Sequence, residues 1–255
     1  INLKIIKLLD SYVDNKHLLE VMTHALEGGK RLRAIIPIII GKKKNNNLDL
    51  TKFACFIELI HNASLIIDDL PCMDNDLYRR NKKTVHHKYG TVKAQITVNF
   101  MMKLGCKLLT ENFNSVVNSD TISEEKINKI KVIIYKNIND NLGLLGAASG
   151  QFIDTCPINK FLSCDDYELD YNSMESLLNL IHLKTSTLFE ISFIGSYLMS
   201  GGDTKNINKI KKAVRFFGLA FQISDDFEDI KQDMNRNNED QKFNPNLVCK
   251  YGEQK

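Results

Sequence analysis

Apolar residues recur at spacings of three and four along almost the whole chain. The spacing is clearest from Phe53 to Ile67 and from Ile207 to Asp229, whereas alternating patterns of period two are scarce. Spacings of three and four place apolar side chains on one face of an α-helix. Only 4 prolines interrupt the 255 residues. The pattern therefore predicts an all-α protein.

Short polar or glycine-bearing breaks, such as Gly41–Asn47 and Gly201–Asp203, separate the predicted helices. The helix-sized segments cover about 3–17, 18–28, 31–41, 49–70, 91–112, 123–150, 173–200 and 205–234. No repeat or linker divides them, so we expect residues 1–255 to form a single domain. Residues 155–170, which include Pro157, are the expected irregular loop.

Composition excludes several classes of protein. A formal net charge of +3 does not mark the whole surface for nucleic acid. The 6 cysteines show no CxxC pairing, which favours reduced thiols over a disulfide framework. A run of apolar residues long enough to cross a bilayer does not occur. The sequence begins at Ile1, so a trimmed N-terminal targeting segment would not be visible in it.

Two clusters of aspartates each follow an apolar helical run. Their acidic candidates are Asp68, Asp69, Asp74, Asp225, Asp226 and Asp229. Carboxylates this close raise one another's pKa unless cations neutralise them. Hard oxygen ligands favour Mg²⁺, which commonly bridges one or two carboxylates to substrate phosphates. A charged, solvated helix face is the alternative for either cluster alone, but the presence of two favours a diphosphate held between metals.

Spacing distinguishes the two clusters. Asp225 and Asp229 are four residues apart and share one face of an unbroken helix. Asp68 and Asp74 are six residues apart, which on a regular helix separates them by about 240° around the axis. They converge only if the chain departs from a regular helix between them, and Pro71 is the residue able to force this.

Basic residues near two glycines form a candidate anion site. The segment GGKRLR at 28–33 places Lys30 and Arg33 at a predicted helix junction, where exposed backbone amides also bind anions. His61 lies seven residues before Asp68, two helical turns away on the same face. The alternative interpretation of GGKRLR is a glycine cap followed by a solvated basic turn. The alternative for His61 is a partly buried histidine with ordinary partners.

Candidate groups also lie in the second half of the chain. Lys184 and Thr185 follow an apolar helix face and could donate hydrogen bonds to a leaving diphosphate, although a lysine there also suits snorkelling. Gln222 precedes Asp225 by almost one turn and could orient it or a metal-bound water. The segment GQFID at 150–154 ends a helix rich in small residues, for which close helix packing is an equal alternative.

Five segments, in this order, resemble the motifs of trans-isoprenyl diphosphate synthases, particularly the geranylgeranyl diphosphate synthase branch. They are GGKRLR (28–33), IHNASLIIDDLPCMDNDLYRR (60–80), GQFID (150–154), IHLKT (181–185) and FQISDDFED (221–229). The resemblance runs from about Gly28 to Gly252. It implies an isoprenoid synthase fold, with helices around a deep central cavity in a chain that lacks part of both termini, and usually a homodimer.

The resemblance also implies a role for each matching residue. Metal binding falls to Asp68, Asp69 and Asp74 of the first motif and to Asp225, Asp226 and Asp229 of the second. Isopentenyl diphosphate would be bound by Lys30, Arg33, His61 and Arg80. The allylic diphosphate would be bound by Arg79, Lys184 and Lys242, with Thr185 and Gln222 near the ionising carbon. Three Mg²⁺ per active site are implied, with Mn²⁺ as the alternative ion.

The expected reaction is head-to-tail condensation of isopentenyl diphosphate with an allylic prenyl diphosphate. Ala63 stands where shorter-chain relatives carry a bulky aromatic residue, and its neighbour Ser64 is also small. The resemblance therefore implies products of C20 or longer, and Ala63→Phe should shorten them. The loop after Asp229 departs from the family pattern. Two alternatives to this function remain. The chain could be a weakly active or non-catalytic subunit of a heteromeric synthase, or it could be a class I terpene cyclase. We expect the cytoplasm or a plastid-type organelle as the compartment, and no nucleic-acid partner.

Overall fold

The computed structural model describes residues 2–44, 48–118, 123–154, 173–240 and 246–252. The expected loop at 155–170 and Lys242 lie outside these ranges. The helices, in chain order, are α1 (Asn2–Tyr12), α2 (Lys16–Leu26), α3 (Leu32–Lys44), α4 (Thr51–Asp68), α5 (Val85–Tyr89), α6 (Thr91–Asn118), α7 (Glu124–Leu142), α8 (Ala147–Asp154), α9 (Met174–Ile181), α10 (Thr187–Met199), α11 (Ile207–Asp240) and α12 (Leu247–Tyr251). A π-helical segment, His182–Ser186, joins α9 to α10, and a 3₁₀ turn, Thr204–Asn206, precedes α11.

The prediction of an all-α fold is confirmed. The strands within the described ranges are the two-residue strands β1 (Tyr78–Arg79) and β2 (Lys82–Lys83). They pair antiparallel, with Tyr78 opposite Lys83 and Arg79 opposite Lys82. This hairpin and the short helix α5 were not predicted, because two-residue strands leave no periodic pattern in the sequence.

The prediction of one helix over 123–150 is wrong. Helix α7 ends at Leu142, and α8 begins at Ala147 after a turn that contains Gly143 and Gly146. The amide of Gly146 donates to the carbonyl of Gly143 at 3.0 Å. A Cβ at Gly146 would collide with the carbonyl oxygen of Asn141, so glycine is required for this turn.

The predicted boundary between the first two helices is also wrong. Helix α1 ends at Tyr12 and α2 begins at Lys16, so the break precedes residue 17. Asn15 determines the start of α2, because its side-chain oxygen accepts hydrogen bonds from the amides of His17 and Leu18. An asparagine in this position satisfies amides that the first helical turn leaves without partners.

The chain contains two compact units. The first comprises Ile1–Tyr135 and Ser192–Thr204. Its core lies where α4 packs against α6, with α1 and α2 beside them, and its buried side chains include Leu9, Met22 and Leu59. This packing holds α4 rigidly, and α4 leads into the first aspartate cluster.

The second unit comprises Lys136–Ile191 and Lys205–Lys255. Helix α11 packs against the π-helical segment, α9 and α12. A small apolar cluster of Leu177, Ile181 and Leu247, with Leu219 and Ile223 beside it, lies between these elements. The second aspartate cluster lies on α11 within this unit.

The helices in the described ranges do not include one that is both long and apolar enough to span a membrane. Cys55, Cys72, Cys106 and Cys249 are free thiols. The remaining two cysteines fall within 155–172, outside the described residues.

Candidate active site

One face of α4 carries the first set of predicted site residues. His61, Ser64, Leu65 and Asp68 are half-buried and follow the helical spacing of three and four. The neighbouring side chain of Ala63 is fully buried, in the core of the first unit. His61, Ser64 and Asp68 therefore share the more accessible face of α4, whereas Ala63 faces the packed interior.

The predicted departure from a regular helix after Asp68 is confirmed. Helix α4 ends at Asp68, and successive turns occupy the segment that contains Pro71. The amide of Asp74 then donates to the carbonyl of Asp68 at 2.9 Å. The backbones of Asp68 and Asp74 are thus adjacent, which a continuous helix would not allow.

The hairpin that carries Arg79 and Arg80 is held by side chains from α5 and its N-cap. Thr84 Oγ1 donates to the carbonyl oxygen of Asp76 at 2.7 Å, and His86 Nε2 lies 2.8 Å from the same oxygen. His86 must donate here, because a carbonyl only accepts. These bonds stabilise the conformation that presents both arginines.

Asp69 is paired with Arg79. Arg79 Nε donates to Asp69 Oδ1 at 2.7 Å, and Arg79 Nη2 lies 3.7 Å from Asp76 Oδ2. Asp69 is only 4% exposed, and this burial raises its pKa while Arg79 opposes the rise. The Asp69 carboxylate therefore orients Arg79 in this structure, and its predicted role as a metal ligand stays a prediction.

The GGKRLR segment forms the junction between α2 and α3, as predicted. Gly28 has a φ of +78°, a left-handed conformation that suits glycine. A Cβ added at Gly29 would lie 2.6 Å from Arg31 Nη1 and 2.9 Å from Arg80 Nη1. The guanidinium groups of Arg31 and Arg80 thus both reach Gly29, which concentrates positive charge at this junction.

His61 lies within the positive field of this region. Arg33 Nη1 is 3.5 Å from His61 Nε2. Burial, followed by the charges of Arg33, Arg80, Arg79 and Arg31, lowers the pKa of His61 well below its usual value. The imidazole is therefore neutral at pH 7, and the charges that keep it neutral would attract a diphosphate.

The second unit places Lys184 and Thr185 on the π-helical segment. Lys184 Nζ forms an ion pair with Asp154 at the end of α8. A Cβ added at Gly150 would lie 2.9 Å from Leu183 Cβ and 2.9 Å from Lys184 Cγ. The close-packing interpretation of GQFID is therefore confirmed, and its aspartate holds the predicted lysine. Helical segments of this type frequently occur at functional sites.

A chain of hydrogen bonds links Thr185 to the second aspartate cluster. Thr185 Oγ1 donates to Gln222 Oε1 at 2.7 Å, and Gln222 Nε2 donates to Asp226 Oδ1 at 2.8 Å. Asp226 Oδ2 accepts from the amide of Leu247 at 2.8 Å, at the start of α12. Gln222 is thus oriented by Asp226, with its carbonyl oxygen toward Thr185.

The acidic residues fit Mg²⁺ by donor chemistry. Asp68 and Asp225 are half-buried, Asp74 is exposed, and all three offer carboxylate oxygens. The residues that the structure describes contain no group of three or more His, Cys, Asp or Glu side chains close enough to hold a metal ion. Mg²⁺ commonly binds through one or two carboxylates together with substrate phosphates, so the donor set suits a metal that arrives with its diphosphate.

Comparison with known proteins identifies the family. A model of the family described as polyprenyl synthetase matches residues 15–242. The chain belongs to the polyprenyl synthetase family. The chain is 34% identical over 210 residues to geranylgeranyl pyrophosphate synthase 9, chloroplastic, of Arabidopsis thaliana, covering 80% of this chain and 53% of that protein.

Further relatives extend the similarity. The heterodimeric geranylgeranyl pyrophosphate synthase large subunit 1, chloroplastic, of Arabidopsis thaliana is 33% identical over 233 residues, or 88% of this chain and 58% of that protein. The chain thus spans about half the length of these relatives. The crystal structure of geranyltransferase from Helicobacter pylori, complexed with magnesium and isoprenyl diphosphate, superposes with a TM-score of 0.72 at 26% identity, covering 97% of this chain and 80% of that chain.

No role was predicted from the sequence for three residues that the structure places beside predicted site residues, two in the first unit and one in the second. Arg31 and Glu58 form a buried ion pair beneath the glycine junction, and Asp154 pairs with Lys184. Asp154 had a signal, because it lies four residues after Gly150 and one helical turn places both toward the same neighbour. Of the other predicted residues, Asp229 lies on α11, but its side chain is not among those described.

Gly218→Ala should disturb the segment that carries Lys184 and Thr185. A Cβ at Gly218 on α11 would lie 2.7 Å from the Cα of Ser186, and backbone atoms move less readily than side chains. We expect the free energy of unfolding to fall by about 1–3 kcal/mol in urea titrations.

Gly105→Ala on α6 is the matched control, because its Cβ would meet nothing closer than Phe56 Cδ2 at 3.3 Å. Equal stability changes in the two variants would contradict close packing between α11 and the π-helical segment.

Proposed function

We propose that this member of the polyprenyl synthetase family condenses isopentenyl diphosphate with an allylic prenyl diphosphate. The observation that carries the proposal is the concentration of guanidinium groups at the glycine junction, where Arg31 and Arg80 both reach Gly29 and Arg33 Nη1 lies 3.5 Å from His61 Nε2. Such a concentration of cations is costly in an isolated protein and is offset when a multiply charged anion binds. Membership of the family, together with the activities for which its relatives are named, supplies the chemical class of that anion.

Isopentenyl diphosphate would be bound at the junction between α2 and α3. Lys30, Arg33, His61 and Arg80 are the proposed ligands, all of them in the first unit. Partial burial, and then the charges of Arg31 and Arg79, lower the pKa of Arg80. An incoming diphosphate would relieve that repulsion, since it places negative charge among like-charged groups.

The allylic diphosphate would be bound by Arg79, Lys184 and Lys242. Arg79 is presented by the braced hairpin, and Lys184 is held in place by Asp154 until substrate arrives. Thr185 and Gln222 would lie near the carbon that ionises. The hydrogen bonds through Asp226 would keep the Gln222 carbonyl oxygen directed toward this region, where a partial negative charge stabilises developing positive charge.

Asp68 and Asp74 are the proposed metal ligands of the first cluster, and Asp225 and Asp229 are those of the second. Asp69 and Asp226 would act with them mainly by orienting Arg79 and Gln222. When bound, Mg²⁺ would neutralise the charge that develops on the departing diphosphate. The geranyltransferase from Helicobacter pylori, which was crystallised with magnesium and isoprenyl diphosphate, supports this choice of ion.

The reaction would proceed by three bond changes. The allylic carbon–oxygen bond breaks, and its electron pair leaves with the diphosphate. The double bond of isopentenyl diphosphate then attacks the allylic carbon, and loss of a proton to the released diphosphate restores a double bond. The protein's contribution is to bind both diphosphates so that their reacting carbons lie close together, and to exclude water.

We also propose products of C20 or longer and assembly as a homodimer. The relatives named as geranylgeranyl pyrophosphate synthases support the product class. A heteromer is the alternative assembly, because one relative is by name the large subunit of a heterodimeric synthase. A plastid-type compartment is proposed on the chloroplastic relatives, with the cytoplasm as the alternative.

One assay tests the proposed function. The purified protein is incubated with Mg²⁺, isopentenyl diphosphate and allylic diphosphates of several lengths, and the products are sized by chromatography. We expect products extended in five-carbon steps, and no product when isopentenyl diphosphate is omitted. EDTA should abolish product formation, and added Mg²⁺ should restore it.

The other outcomes contradict the proposal in distinguishable ways. A hydrocarbon product formed from the allylic diphosphate alone would indicate a terpene cyclase. Binding of both diphosphates without any elongation would indicate a non-catalytic subunit, and addition of a partner synthase would then change the partner's product profile.

A further inference from the structure

Arg31 is buried at the glycine junction, although it lies between two residues assigned to substrate binding. The residue is 8% exposed, and its φ of +58° is left-handed. Arg31 Nη1 donates to Glu58 Oε2 at 2.8 Å, and Arg31 Nε donates to Asn2 Oδ1 at 2.8 Å. A buried arginine with two oriented bonds is fixed in place and does not reach into solvent for substrate.

Glu58 is fixed as firmly as its partner. It is 2% exposed on α4, and Asn62 Nδ2 lies 2.8 Å from its carbonyl oxygen and 3.3 Å from its Oε2. Buried ion pairs commonly contribute little net stability, because desolvation offsets their attraction. A left-handed arginine adds a further cost of about 1–2 kcal/mol. Stability alone is therefore a poor explanation for the pair.

The pair lies where it can determine the position of the substrate-binding cations. Arg31 is adjacent to Lys30 and two residues before Arg33 in the chain. The junction contacts α4 through Arg31 with Glu58 and through Arg33 with His61. Glu58 and His61 are three residues apart, so both contacts fall within one helical turn. The Arg31 guanidinium also reaches Gly29, as does that of Arg80. We therefore expect a substitution of Arg31 to shift the adjacent backbone of Lys30 and to alter the surroundings of the Arg80 guanidinium.

We propose that the Arg31–Glu58 pair, braced by Asn62, is a positioning device for the isopentenyl diphosphate site. It holds the junction in its left-handed conformation and keeps Lys30, Arg33 and Arg80 converged. This inference rests on the proposed function and adds two residues to it, neither of which contacts substrate. Misplacement of binding groups by about 1 Å is enough to weaken binding or to lower the rate strongly. Because the pair supports only the groups proposed for isopentenyl diphosphate, its loss should weaken binding of that diphosphate in particular.

The test uses Arg31→Lys and Glu58→Gln in the full chain. A lysine keeps the charge but loses the planar fork that donates to Glu58 and Asn2 together, and a glutamine keeps the shape of Glu58 without its charge. We expect KM for isopentenyl diphosphate to rise about tenfold in each variant and KM for the allylic diphosphate to change less than about twofold. The double variant should be no worse than the worse single one, because both remove the same interaction.

Glu111→Gln is the matched control. It breaks an ion pair of the same unit, with Lys52 Nζ 2.6 Å from Glu111 Oε2, that does not touch the junction. We expect both KM values to stay at the wild-type level. Asn2→Ala is a milder variant that removes one bond of Arg31, and KM for isopentenyl diphosphate should rise about threefold. It keeps the inference testable if the buried variants fold poorly.

Calorimetric titration with isopentenyl diphosphate separates this inference from the proposed function. Weaker binding in Arg31→Lys and Asn2→Ala, but not in Glu111→Gln, supports it whether or not elongation is observed. A lower melting temperature and a lower kcat, with both KM values unchanged, would indicate a structural role only and would overturn the inference. Equal rises of KM for both substrates, or wild-type protein that does not bind isopentenyl diphosphate, would also overturn it.

Discussion

Asp68→Ala and Asp225→Ala are each expected to lower kcat for condensation by about 100-fold or more. Each carboxylate is proposed to hold Mg²⁺ against the departing diphosphate, and the loss of one preorganised electrostatic group typically costs this much. The melting temperature should change little, because neither side chain is fully buried. Initial rates at saturating substrates and thermal unfolding curves give the two quantities.

Asp140→Asn is the control for these variants. Asp140 pairs with Lys136 at 3.1 Å one turn earlier on α7, and exposed pairs of this kind contribute about 0.3–0.5 kcal/mol. Its rate should equal that of the wild type. If Asp68→Ala or Asp225→Ala kept a rate within about threefold of the wild type, the assignment of that residue as a metal ligand would be wrong.

Ser64→Phe is expected to shorten the product by one or more five-carbon units. Ser64 lies four residues before Asp68 on the accessible face of α4, about one turn or 6 Å along the helix axis. A prenyl chain that grows away from a diphosphate near Asp68 would pass over this position. A phenyl ring there would fill space that the small side chain leaves open, and sizing of the products measures the change.

Ala63→Phe should behave differently, although the family resemblance implies that this substitution shortens the product. Ala63 is fully buried among the core side chains of the first unit, so a phenyl group would overpack the core and cost about 1–3 kcal/mol. We expect a lower melting temperature as its main effect. Ser64→Ala is the control and should leave product length unchanged. A shortened product from Ala63→Phe with unchanged stability would reverse our assignment of the two positions.

Local patterns in the sequence predicted most of the candidate site. The spacing of His61 and Asp68 placed both on one helix face, and Pro71 marked the end of that helix before Asp74. These predictions succeed because helical periodicity and the restriction imposed by proline act over a few residues. The turn at 143–146 was missed, although its glycines were visible, because apolar spacing on both sides suggested one continuous helix.

Local patterns did not predict which partners individual side chains would contact. Spacing placed Asp68 on the face of His61, but it did not show that Asp69 would be buried against Arg79. Likewise Asp226 accepts hydrogen bonds from Gln222 and from the amide of Leu247, twenty-one residues later. Which of two adjacent carboxylates faces a neighbour depends on where the next element packs, and this is not encoded in spacing.

The sequence by itself therefore determined the helical class, the two aspartate clusters and the basic junction. Apolar periodicity, glycine positions and charge clusters are local features, which can be recognised within one or two helical turns. The tertiary structure alone decided that Arg31 is buried against Glu58, that Lys184 is held by Asp154, and that Ala63 is buried in the core of the first unit. Those assignments require elements distant in the chain to pack together, and burial then sets which polar groups must find partners.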